Sequence, residues 1–327
     1  MYDGKEDDFY VGDYNYEDSL DTSIGLQNMI VRMCVNYAVS EINNYAIVPD
    51  SSFFRPGHLP DYKIKKKEIV TLYQSDIFLK DEVEWSQEAP FNDLFPVVRK
   101  YGLFGRRKKA YTGCFPLAMA KIVAYQENPQ IYTINGYTID WNELKENFNS
   151  PIGSKSASVL LFDIGKECKS LCFYQGTFTF PNGCVDYLSS IGYKNVKLSD
   201  YNTEIVTKMI DRYGPVAICS VPKKDWYDYD LAKSHAWNID GYRVNQTIVT
   251  NEVYRKGKLY SSTQIKKDPV VLVHCDWGWR GRDNGYFVSG IFDLSNRDDI
   301  IFDGPTSSEN TNYNFFLKVI EYEVQKF

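Results

Sequence analysis

The sequence predicts an α+β fold, and three observations carry that expectation. Apolar residues recur at three- and four-residue steps through most of the chain before Gly214-Pro215. Beyond that point the period changes to two and strands dominate. Between Gly113 and Asn128-Pro129 lies an almost unbroken run of Ala, Leu, Met, Ile and Val, the composition of a helix buried on most sides.

That helix is the centre of the reading. Gly113 permits a tight turn, Pro116 suits a first helical turn, and Asn128-Pro129 ends the element because a residue before proline is pushed out of the α region. Cys114 therefore stands at the N-terminus of a core helix. There the helix dipole and unpaired N–H groups favour a thiolate, which makes Cys114 a candidate nucleophile.

Residues 1–21 are acidic and without period, and read as a frayed lead-in. Thr22-Ser23 can cap a helix whose apolar positions run from Leu26 to Ile42. Pro49, Pro56, Gly57 and Pro60 mark a boundary loop that holds a solvated His58, so residues 1–70 are read as an N-terminal segment and 71–327 as the main domain. Asn135-Gly136 predicts a hairpin over 132–139, followed by Asp140-Trp141. Helices are expected over 156–175, 182–192 and 202–213, the first placing Cys168 and Cys172 on one face as packing residues. Val216–Val221 reads as a buried strand, 243–272 as a hairpin around Lys256-Gly257, and 315–320 as a closing strand.

Composition excludes several classes. The 327 residues are 43% hydrophobic and carry a net charge of −6, so no basic field draws nucleic acid. The runs Lys63–Lys67 and Arg106–Lys109 read as solvated loops. No apolar run is long enough for a membrane span, and Met1–Asp8 is not a signal peptide, which fits a cytosolic protein or one trimmed of its export signal. Seven dispersed cysteines lack metal-site spacing; apart from Cys114 they are read as buried thiols, with pairing left open. No cofactor and no metal is expected.

Four separated motifs carry the chemistry. They are Trp85-Ser86-Gln87-Glu88-Ala89-Pro90-Phe91-Asn92; Gly113-Cys114 with its Ala-rich helix through Lys121-Ile122; Ser234-His235-Ala236-Trp237-Asn238-Ile239-Asp240-Gly241-Tyr242; and His274-Cys275-Asp276-Trp277-Gly278-Trp279-Arg280-Gly281 followed by Gly285-Tyr286-Phe287. Together, and in this order, they resemble the streptopain family of papain-clan cysteine peptidases over roughly residues 70–300. The resemblance implies a two-lobed papain-like fold, a helical lobe around the cysteine helix and an antiparallel sheet lobe. It implies Cys114 as nucleophile, His235 as base, Gln87 as an oxyanion donor, Asp276 as the group orienting the imidazole, and Trp277 as its shield from water. It also implies protein or peptide substrates, synthesis as a zymogen, and a secreted or cell-envelope location. The helix around residues 22–42 is then either a packing helix or the remnant of an inhibitory pro-segment.

There are two departures. Asp276 stands where the resembled motif has Asn, which is expected to raise the histidine pKa, and Phe115-Pro116 replaces small residues after the cysteine, which is expected to narrow the cleft. His274 is the rival base, read as a hydrogen-bonded structural residue. Competing functions are a transglutaminase-type acyltransferase and a non-catalytic binding module in a papain-like shell.

Overall fold

The computed structural model describes residues 62–76, 85–100, 105–225, 228–229 and 233–325. The expected N-terminal helix, boundary loop and His58 lie outside them. The described chain divides into two compact units. One holds residues 62–72 and 245–270; the other holds the described residues of 73–244 and 271–327.

The second unit contains five helices among the described residues: α1 (Cys114–Gln126), α2 (Trp141–Glu146), α3 (Pro151–Glu167), α4 (Pro181–Ser190) and α5 (Thr203–Tyr213). The main sheet is built from β1 (Tyr62–Asp76), β2 (Lys194–Asp200), β3 (Val216–Ser220), β4 (His235–Arg255), β5 (Lys258–Lys266), β6 (Val270–Asp276), β7 (Gly285–Val288), β8 (Ile301–Phe302) and β9 (Lys318–Glu323). Its order is β8-β7-β6-β4-β3-β9-β2, with β1 and β5 also pairing with β4. Helices and an antiparallel sheet together give the α+β class.

Local chemistry explains the elements. In α1 every residue from Phe115 to Ala124 is buried, as the apolar run demands, and Glu127 closes it in the left-handed conformation. Ser150 caps α3 by accepting from Gly153 N–H at 2.9 Å, with Pro151 in the first turn. Asn202 caps α5 in the same way, through Glu204 and Ile205 N–H, and α5 buries Val206, Met209 and Ile210. Strand β3 is buried at every position, and it lies mid-sheet between β4 and β9.

The expected 132–139 hairpin forms, Thr133 pairing with Thr138 across Asn135-Gly136. So does the one around Lys256-Gly257, as β4 and β5. The helix drawn over 156–175 needs correction. It begins at Pro151 and ends at Glu167, where Lys169 turns left-handed and Ser170 N–H reaches back to Gly165. Cys172 belongs to a short ribbon, Leu171–Cys172 with Thr177–Phe178, and shares no helical face with Cys168. The closing strand starts at Lys318, three residues later than expected.

Candidate active site

Four segments of the second unit converge on the start of α1. Gly113 precedes Cys114 with φ 92°, and a side chain there would stand 3.1 Å from Thr177 Cγ2. Thr177 Oγ1 donates to Tyr111 O at 2.6 Å, so the 171–178 ribbon clamps the chain as it enters the helix. Only glycine combines that backbone angle with that space.

Cys114 itself is partly exposed. The backbone N–H groups of Ala236, Phe115 and Cys114 act on its sulfur in the direction that favours the thiolate. The first of these is the peptide that joins His235 to Ala236, so the nucleophile candidate and the base candidate meet at adjacent backbone. Burial among protein atoms raises the thiol pKa, and the three N–H groups pull it back only in part. The helix terminus thus acts on the sulfur as expected, but desolvation outweighs it.

His235 begins β4, opposite Ser220 on β3, and is buried. Its Nε2 lies 3.0 Å from the carbonyl oxygen of Trp277. A carbonyl can only accept, so Nε2 carries the hydrogen and the neutral ring presents its lone pair at Nδ1. The ring stacks on Trp279 with centroids 4.8 Å apart, with Trp277 and Trp237 beyond. Burial, the Trp277 carbonyl and Lys121 together set the imidazole pKa at about 4: burial and Lys121 lower it, and the Trp277 carbonyl and Glu309 raise it. Both shifts favour the uncharged forms, thiol and imidazole.

Asp276 is placed differently from its expected role. Its Oδ2 lies 2.5 Å from the ammonium of Lys121, and its Oδ1 accepts from Gly278 N–H at 3.0 Å and Asn284 Nδ2 at 3.3 Å. The group meeting the imidazole is the neighbouring main-chain carbonyl of Trp277. Burial would raise the Asp276 pKa, but Lys121 and the Gly278 N–H overcome it and hold the carboxyl below its ordinary value. The expected rise in the histidine pKa is replaced by a fall, because desolvation and Lys121 act on the ring. Trp277 is wholly buried, its ring lies 6.0 Å from that of His235 between centroids, and its carbonyl is the group that Nε2 meets.

Gln87 is brought to the site by main chain: its carbonyl accepts from Thr112 N–H at 3.1 Å, two residues before Cys114. Asn92 Nδ2 donates to Ala110 O at 2.9 Å along the same seam. The other side of this loop is held by Arg280, whose N–H donates to Trp85 O and whose guanidinium reaches Ser86 Oγ and Ala89 O. Phe115 and Pro116, the residues expected to narrow the cleft, are both buried.

His274, the rival base, has both ring nitrogens engaged, by Asp240 at 2.5 Å and Asp303 at 2.7 Å. Burial alone would lower its pKa; the two carboxylates raise it to about 10, so it is a cation held in place. Lys121, Arg280 and Asn284 went unassigned in the sequence. The one signal was Lys121 itself, the single charged residue within an apolar helix. No cluster of His, Cys, Asp and Glu suited to a metal occurs among the described residues.

A thiol at the head of a helix and a desolvated imidazole at the head of a strand thus belong to the same unit. The sequence model of the peptidase C10 family matches residues 85–287, and the chain belongs to that family, the streptopain family of cysteine peptidases. No curated protein matches the chain.

Proposed function

We propose that the chain is a papain-like cysteine endopeptidase in which Cys114 is the nucleophile and His235 the general base and acid. The observation that supports this reading is that the peptide joining His235 to Ala236 acts on the Cys114 thiol. With Nε2–H engaged by Trp277, the free Nδ1 lone pair takes the thiol proton as substrate binds. The sulfur attacks the scissile carbonyl, and the Gln87 side-chain amide supports the oxyanion. His235 then returns its proton to the leaving amine, and water, deprotonated by the same ring, releases the acyl group. Shifts that favour the uncharged pair imply that thiolate and imidazolium form together in the occupied site.

Substrates are unstructured protein segments, and the location that fits the family is secreted or cell-envelope. No helix among the described residues is long and apolar enough to cross a membrane. The zymogen reading rests on residues 1–70, of which 1–61 lie outside the described chain, and the boundary drawn near residue 70 falls within β1.

The test is Cys114→Ala assayed on dye-labelled casein. Hydrolysis is expected to disappear while the melting temperature stays within a few degrees of wild type. Retained hydrolysis would remove Cys114 from the mechanism.

A further inference from the structure

Seven residues separate Cys114 from Lys121, two turns of helix, so both lie on nearly the same face of α1. Lys121 is 1% exposed, and its ammonium meets Asp276 across 2.5 Å. Burying such a pair costs several kcal/mol per ion unless every remaining polar atom is satisfied. Here the satisfaction is informative. Asp276 Oδ1 takes the Gly278 N–H and the Asn284 amide, and Asn284 Oδ1 in turn takes the Trp277 N–H at 3.1 Å.

These bonds fold residues 276–278 into a turn around Trp277. The carbonyl of Trp277 is the group left to receive His235 Nε2–H. The turn also meets the helix directly: a side chain on Gly278, at φ 73°, would stand 2.6 Å from Leu117 Cδ2. One carboxylate therefore holds the turn with one oxygen and the cysteine helix with the other.

We propose that the Lys121–Asp276 ion pair is a positioning device, a strut that fixes the helix of the nucleophile against the turn that aims the Trp277 carbonyl at His235. Neither residue touches the reacting atoms. The role is additional to the peptidase reading and rests on it for its assay.

The experiment compares Lys121→Gln, Asp276→Asn and the double variant carrying both, with kcat and KM measured on labelled casein. Each single change strands one buried charge and loosens the strut. We expect kcat to fall about 10- to 100-fold in each, with KM changed by less than about threefold. In the double variant two neutral amides can hydrogen-bond across the same gap, and kcat is expected within about fivefold of wild type. Losses that simply multiply in the double variant, or singles that lower the melting temperature with kcat untouched, would overturn the proposal.

Should a single variant fail to fold, Lys121→Met with Asp276→Leu removes both charges and the turn's acceptor while keeping volume. Folded and at least about tenfold slower, it supports the strut; folded and as fast as wild type, it refutes it. The rate of Cys114 alkylation by iodoacetamide is read in the same proteins. If wild type hydrolyses no protein, the peptidase reading fails, while the ranking of alkylation rates still reports whether the strut sets the thiol–imidazole geometry.

Discussion

At the scale of single residues, the two histidines separate by environment. His235 is a neutral ring with one nitrogen engaged and a pKa lowered to about 4. His274 is a cation clamped by Asp240 and Asp303, with a pKa raised to about 10. His235→Ala is expected to cut kcat by about 10²- to 10⁴-fold with little change in melting temperature. His274→Ala strands the buried Asp240 and is expected to cost about 3–5 kcal/mol of stability, read by urea unfolding. The reverse ranking in activity per folded molecule would exchange their roles. The His274 clamp also sets a pH dependence. A pKa raised in the folded state gives stability that is full below about 6.5 and is lost as pH climbs through about 10. Unfolding midpoints measured between pH 6 and 10 should decline across that window in wild type, and decline less in His274→Ala. Cys114, His235 and Gln87 are singled out in the sequence because each sits in a contiguous motif whose residue types fit one chemistry. The partner of Asp276 is not. Lys121 is 155 residues away, and nothing local marks a buried lysine's counter-ion.

At the scale of elements, α1 is the organising piece, and its limits were readable from Gly113, Pro116 and Asn128-Pro129 because those residues act on the backbone directly. The helix over 156–175 was misdrawn for the complementary reason. Apolar spacing continues past Glu167 into Leu171 and Cys172, while the left-handed Lys169 that ends the helix leaves no clear mark in composition. The short span from Cys168 to Thr179 then forms the ribbon that clamps Gly113. Closeness between α1 and the Trp277 turn is an element-level property, set by Gly278. Gly278→Ala combines φ 73° with a contact of 2.6 Å to Leu117. It is expected to destabilise by about 1–3 kcal/mol and to lower kcat, because helix and turn must part. Chemical denaturation with a parallel casein assay checks both; an Ala variant as stable and as fast as wild type would show that the approach is slack.

At the scale of the molecule, the change from helical to strand periodicity near Gly214-Pro215 did foretell a helix-rich part followed by a sheet. The strand order could not be read the same way. The last strand, β9, inserts between β2 and β3, a pairing decided by long-range burial of Val319, Ile320 and Tyr322 and not by any local signal. That insertion flanks β3, which in turn pairs with the His235 end of β4, so distant parts of the chain brace His235. The account's central claim is that the sulfur on α1 and the ring at the head of β4 work as one proton-transfer pair. Its most direct test is the rate of iodoacetamide alkylation at Cys114, resolved by peptide mapping from the partly exposed Cys172, together with residual casein hydrolysis. The account predicts that hydrolysis falls in proportion to Cys114 modification and that His235→Ala slows alkylation at least about tenfold near neutral pH. Full modification with hydrolysis intact, or equal alkylation rates in wild type and His235→Ala, would contradict it.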